Sequence, residues 1–283
     1  MCSQSNPICT TFSIAGHDVY YELYNFSHEM KDSNEKKVFV LIHGFLSSCF
    51  SFRHLIPMLS KEGTVLVVDL PPFGKSGKGL NYTYSYNNFA NIVISMIEHF
   101  QFKSIYLIGH SMGGQISLYA AKKAPHLVNK IILLCSSGYL GKSQRHLFWS
   151  SYIPFFHLIV KRKFAKQGVM QSLTDVVYDG SLIDDQMMKG YEEPFTNNNE
   201  IFRALTKMIR DREGDLSPQE VRNISVPTLL IWGEEDKIIP IDVGKRLHSD
   251  LQNSLFISYP KTGHLIPEEI PAKIYENIMS FIG

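Results

Sequence analysis

Cysteine is scarce in this chain. Its 283 residues include four, Cys2, Cys9, Cys49 and Cys135, with no Cys-x-x-Cys pair and no His/Cys ligand spacing. That pattern excludes a disulfide framework or a clustered zinc site and reads as free thiols in a reducing compartment. An excess of one charge is also lacking. Twenty-eight Lys plus Arg balance 27 Asp plus Glu, for a net +1, so no broad field recruits nucleic acid or an anionic membrane as the primary partner. Long hydrophobic runs are missing too. The longest apolar stretch, 146–160, is interrupted by Ser150, Ser151, Pro154 and His157, and is shorter than the roughly 20 apolar residues that cross a bilayer. The first seven residues show no basic start followed by an apolar run, which reads as neither a secretory signal nor a lipoprotein anchor at Cys2. A soluble cytoplasmic protein is the expectation, without internal repeats or low-complexity linkers.

What the chain does have is alternation. Segments 38–42, 65–68, 104–108, 131–134, 226–232 and 255–257 are almost continuously apolar and rich in Val, Ile and Leu, as expected of parallel strands covered on both faces. Between them lie helix-period stretches at about 50–59, 84–100, 111–123, 241–250 and 267–282, with Pro125 stopping the third. Strand–helix alternation predicts a mostly parallel, doubly wound α/β sheet. Thr11–Ile14 and Val19–Tyr24 flank Ala15-Gly16-His17-Asp18 and predict an antiparallel hairpin at its edge. The rhythm breaks from Tyr139 to Asn223. That stretch has no long β-run and carries Phe148, Trp149, Tyr152, Phe155 and Phe156 before Lys161-Arg162-Lys163. It predicts a helical lid inserted at 139–223 into a core formed by 1–138 and 224–283.

Gly109-His110-Ser111-Met112-Gly113-Gly114 directly follows one predicted strand and opens one predicted helix. A Gly-x-Ser-x-Gly elbow in that context lifts the serine hydroxyl above the sheet on a strained turn. Gly109 and Gly113 stand where a β-carbon would clash, and Gly114 lets the helix approach the neighbouring strand. The helix start aims N–H groups and a positive dipole end at the hydroxyl, where negative charge would develop.

A serine needs a base and an orienting acid to become nucleophilic. Behind such an elbow they follow in the order Asp, then His, after late strands. Gly233-Glu234-Glu235-Asp236 follows the Leu229–Trp232 run, and Gly263-His264 follows the Leu255–Tyr259 run. Both lie at carboxyl ends of strands, where sites in open α/β sheets gather. Asp236 is the expected acid, with Glu234 and Glu235 as competitors, and His264 is the expected base among 11 histidines.

Taken together, His43-Gly44-Phe45, Asp69-Leu70-Pro71-Pro72-Phe73-Gly74-Lys75-Ser76, the elbow, Gly-Glu-Glu-Asp236 and Gly-His264 resemble the α/β-hydrolase superfamily over nearly the whole chain outside 139–223. The resemblance implies an oxyanion hole from the backbone N–H groups of Phe45 and Met112. Pro72 stands where many relatives have Gly, a departure in a turn. His43, Gly44 and His110 are expected to brace the loops around the site, and Asp69 to stabilise a turn.

These residues predict hydrolysis of a small carboxylic ester or acyl substrate through an acyl-enzyme, needing no metal or organic cofactor. Within the fold, a carbon–carbon bond hydrolase of the meta-cleavage-product type and a cofactor-free perhydrolase compete with that reading. His110 speaks against the former, whose members usually carry Asn before the nucleophile. Haloalkane dehalogenases and epoxide hydrolases use an Asp nucleophile, which Ser111 is not. A weakly catalytic or non-catalytic binding protein on the same fold is the reading of another class. The aromatic cluster at 148–156 is expected to pack as the lid's own core rather than line an acyl pocket. The Lys161–Lys163 run is read as a solvated face, with transient docking to anionic lipid as the alternative.

Overall fold

The computed structural model describes residues 7–14, 16–25, 37–196 and 199–283. The apolar runs form one eight-stranded sheet: β1 (Ile8–Ile14), β2 (His17–Tyr24), β3 (Lys37–Ile42), β4 (Gly63–Val68), β5 (Ile105–His110), β6 (Val128–Leu134), β7 (Thr228–Gly233) and β8 (Ser254–Tyr259). Their order is β1-β2-β4-β3-β5-β6-β7-β8. β1 and β2 pair antiparallel, as does β2 with β4, and every pair from β4 to β8 is parallel. The expected hairpin is therefore at the edge, with Ala15 outside the described residues.

All six residues of β4 and of β7 are buried, because helices cover both faces of a parallel sheet. The helices are α1 (Ile56–Leu59), α2 (Tyr86–His99), α3 (Met112–Lys123), α4 (Arg145–Ser150), α5 (Phe156–Gln167), α6 (Val169–Val176), α7 (Asp185–Glu192), α8 (Glu200–Asp211), α9 (Pro218–Arg222), α10 (Ile241–Asp250), α11 (Ile266–Glu269) and α12 (Pro271–Ile282). Ser85 starts α2 by accepting from the Asn88 N–H, so the helix begins two residues later than its apolar period suggests. The expected 267–282 helix divides at Ile270, because Pro271 has no N–H to continue the ladder and instead opens α12.

The chain runs from β3 to β4 on one side, then crosses to β5 on the other. Between β3 and β5 lies the switch point, where loops leave in opposite directions and open a crevice. Helices α4 to α9 all fall between β6 and β7, and the described residues of 139–223 contain no strand.

Candidate active site

Ser111 occupies the single residue between the end of β5 and the start of α3. Its φ of 53° and ψ of −118° lie far from any relaxed L-residue basin. Three hydrogen bonds hold it there. Its N–H donates to Leu134 O at 2.9 Å, and its carbonyl accepts from the N–H groups of Gly114 and Ser137 at 3.0 Å. The glycines are dictated by contact: a β-carbon on Gly109 would strike Gly113 O, one on Gly113 would strike Ile42 O, and one on Gly114 would strike Ser136.

After β7 the chain turns at Gly233 and buries Asp236. Asp236 Oδ1 accepts from the N–H groups of Ile238 and Ile239, both at 2.8 Å. Its Oδ2 lies 2.7 Å from His264 Nδ1. With Nδ1 donating, neutral His264 keeps Nε2 as an acceptor. The competing acids are engaged elsewhere, Glu234 with Ser258 Oγ and Glu235 with Thr262 N. His264 and Ser111 line one cavity of about 320 Å³. No hydrogen bond among the described residues joins the Ser111 hydroxyl to the imidazole.

The bracing histidines act on the backbone. His43 Nδ1 meets Gly44 O at 2.7 Å, while its Nε2 accepts from Leu70 N at 2.9 Å, tying the ends of β3 and β4 together. His110 Nε2 donates to His264 O at 2.8 Å. Burial, followed by the neighbouring His264 imidazole, pushes the His110 pKa down to about 3, so the brace is neutral and its Nδ1 is buried without a partner. Burial lowers His43 as well, against the pull of Asp69. Asp69 itself organises a turn, its carboxylate accepting from Cys49 N and Lys75 N. Gly44 and Phe45 line the cavity from the loop after β3, and Met112 opens α3 beside Ser111.

A family model for the alpha/beta hydrolase fold matches residues 37–271. The chain belongs to the α/β hydrolases. It is 49% identical over 96% of both chains to the uncharacterized hydrolase YugF of Bacillus subtilis (strain 168). It is 25% identical to the 2-hydroxy-6-oxo-6-(2'-aminophenyl)hexa-2,4-dienoic acid hydrolase of Metapseudomonas resinovorans, over 86% of this chain and 83% of that one. Among solved structures, the epoxide hydrolase CorEH superposes with a TM-score of 0.80 at 19% identity, covering 98% of each chain; that likeness is one of fold.

The remaining walls of this hydrolase's cavity come from the segment between β6 and β7, chiefly Phe164, Val169, Leu173, Val176, Tyr191 and Phe195. Phe164 packs on Phe195 with ring centroids 4.6 Å apart. The aromatic cluster at 148–156 does not pack as a core, as expected of it, and it does not line the cavity either. Trp149 and Phe155 are 66% and 71% exposed, and Tyr152 is exposed too. Trp149 packs on Phe148 and Tyr152 at the surface, and Phe155 on His157, because the inward face of the segment is filled by Phe164, Phe195 and Phe202 instead.

Two carboxylates were not legible in the sequence. Glu269 accepts from Gly263 N, directly before His264, and from Tyr178 N, just past the end of α6. His264 N donates to Val176 O at 2.7 Å, so the His264 loop is pinned to the segment between β6 and β7. Glu268 contacts Arg53 and accepts from Tyr191 OH at 3.2 Å. The one hint for either was an acid in the first turn of a helix.

Cys135, Asp236 and His264 bring their ligand atoms within 4.8 Å of one another, the arrangement among the described residues that most resembles a metal site. Asp236 already accepts three hydrogen bonds. Burial raises the Cys135 thiol well above its ordinary range, so the sulfur there is a thiol and a poor ligand.

Proposed function

We propose that this hydrolase cleaves carboxylic esters through an acyl-enzyme formed on Ser111. The observation that carries the reading is the buried Asp236–His264 pair opening onto the same cavity as a strained, backbone-pinned serine. His264 Nε2 takes the hydroxyl proton as Ser111 Oγ attacks the ester carbonyl, then gives it to the departing alcohol. Water adds to the acyl-enzyme with the same imidazole as base, which releases the acid and restores the serine. Asp236 holds the tautomer that leaves Nε2 free and stabilises the imidazolium that forms. The Phe45 and Met112 N–H groups take the developing oxyanion. Closure of Nε2 onto Oγ belongs to the substrate complex, since catalytic hydrogen bonds of an empty site are commonly long.

The 139–223 segment acts as a lid in this reading, because six of its apolar and aromatic side chains wall the cavity. A lining of that kind suits an acyl chain. A second reading, carbon–carbon bond hydrolysis, draws on the Metapseudomonas relative's activity and uses the same serine and imidazole.

A fluorophosphonate probe and a series of p-nitrophenyl esters from acetate to palmitate test the proposal. The expected result is labelling at Ser111 and turnover that Ser111→Ala lowers by about a millionfold, as in other triads, with unchanged thermal stability. Retained turnover in Ser111→Ala would end the assignment. A labelled protein that turns over dienoate substrates and no ester would favour the second reading.

A further inference from the structure

The outer face of α4 and α5 has a composition at odds with the rest of the molecule. Trp149, Tyr152, Ile153, Phe155, Leu158 and Ile159 are all exposed. Apolar side chains of this size scattered singly need no explanation, whereas a contiguous group on one short stretch marks an interaction surface. Charge is one-sided beside it. Residues 141–174 contain Lys142, Arg145, Lys161, Arg162, Lys163 and Lys166 and no Asp or Glu, in a chain whose totals are otherwise balanced. On α5 the two chemistries share a face, since Leu158 lies one turn from Arg162 and Ile159 one turn from Lys163. A basic amphipathic helix of this kind seats itself in a headgroup layer, with its apolar side chains at the acyl boundary.

The tip of the surface carries an independent sign. Phe155 stands between α4 and α5 with φ 62° and ψ 13°, in the left-handed region. A bulky residue there is a rare outlier, and its backbone is strained. The side chain so placed is the most exposed large apolar group among the described residues. Among the described residues its recorded ring contact is with His157, centroids 6.4 Å apart, and most of the ring still faces water.

We infer that this hydrolase docks on anionic lipid bilayers through the outer face of α4 and α5, with Phe155 and Trp149 inserted and the Lys161–Lys166 cations against headgroups. The opposite face of α5 supplies Phe164 and Gln167 to the catalytic cavity. Docking therefore brings a wall of that cavity to the lipid surface, which favours esters of lipids as substrates. The docking itself needs no catalysis, and it stands or falls separately from the reaction proposed above.

The chain reports on this directly, because it has two tryptophans. Trp232 is wholly buried and donates to Ile239 O, so a change in emission on adding vesicles comes from Trp149. Vesicles of phosphatidylcholine, and of phosphatidylcholine mixed equally with phosphatidylglycerol, are the probes. The expected result is co-sedimentation and a blue shift with the mixed vesicles and neither with phosphatidylcholine alone. Trp149→Phe should keep the sedimentation and lose the shift. Each basic residue near an anionic surface is worth about a fivefold gain in partitioning, so the triple variant Lys161→Glu, Arg162→Glu, Lys163→Glu should bind at least about a hundredfold more weakly. The melting temperature and far-ultraviolet circular dichroism of every variant should match wild type, which verifies folding without reference to any substrate. Binding that is equal for both vesicles, or absent from both, overturns the inference. So does a dimer that Trp149→Ser with Phe155→Ser converts to monomer while vesicles bind neither protein, since the face would then belong to a second copy.

Discussion

Leu230 and Leu158 are the same residue in opposite circumstances. Leu230 lies in β7 with no exposed surface, while Leu158 lies in the first turn of α5 and is 51% exposed. The difference extends to their neighbourhoods. β7 is buried along its whole length, whereas α4 and α5 contain no fully buried residue. The sheet buries its apolar surface internally, and at about 25 cal/mol per Å² that burial is what holds Ser111, Asp236 and His264 in place. Residues 139–223 divide theirs three ways: Ile201, Phe202 and Leu205 of α8 join the main core, six side chains wall the cavity, and those on the outer face of α4 and α5 meet water. The candidate site residues therefore follow the ends of β5, β7 and β8, and the facing wall of their cavity lies on α5, α6 and α7, of which α5 has no fully buried residue.

Asp236→Asn probes the sheet half most strongly. The amide keeps the shape but favours the wrong imidazole tautomer, and in other triads that substitution removes about ten-thousandfold of turnover. The same loss is expected here on p-nitrophenyl acetate, with vesicle binding unchanged. A loss below tenfold would make Asp236 a structural residue and return the acid role to Glu234 or Glu235.

Truncating the two leucines sharpens the comparison in stability. Leu230→Ala leaves a cavity in a fully packed layer and should cost about 2–5 kcal/mol. Leu158→Ala removes surface that water already reaches and should change stability by less than about 0.5 kcal/mol. Denaturant unfolding of both variants measures the gap. Similar costs would mean that α5 is as firmly packed as β7.

The half that was legible in sequence is the half fixed by backbone contact. Gly109 and Gly113 could be read because only glycine admits Gly113 O and Ile42 O at those positions, and Asp236 and His264 because they follow strands whose apolar runs are unmistakable. Phe155 and Trp149 were misread because helical period tells which residues share a face and says nothing about what covers that face. Glu269 was missed for another reason: its partner Tyr178 is 91 residues away in sequence, and no local pattern announces such a bond. The division of 267–282 at Ile270 was a signal available but not used, since Pro271 was in plain view.

Glu268 lies where the two halves meet, and its titration tests that junction with the smallest effect. It sits on α11, four residues beyond His264, in contact with Arg53 of the core and Tyr191 of α7. Burial pushes its carboxyl from 4.5 up to about 7, although Arg53 and Tyr191 pull the other way. A folded-state pKa raised above the unfolded value means that the folded protein holds the proton more tightly. Stability from this group is then fully present below about pH 4.5 and is lost as pH rises through about 7, by roughly 3 kcal/mol at most. Glu268→Gln abolishes the titration. The melting temperature of wild type relative to that variant should therefore fall by several degrees between about pH 5 and about pH 8. A difference that stays constant over that range would mean that Arg53 keeps the carboxylate ionised throughout, and that the junction is held by an ordinary ion pair.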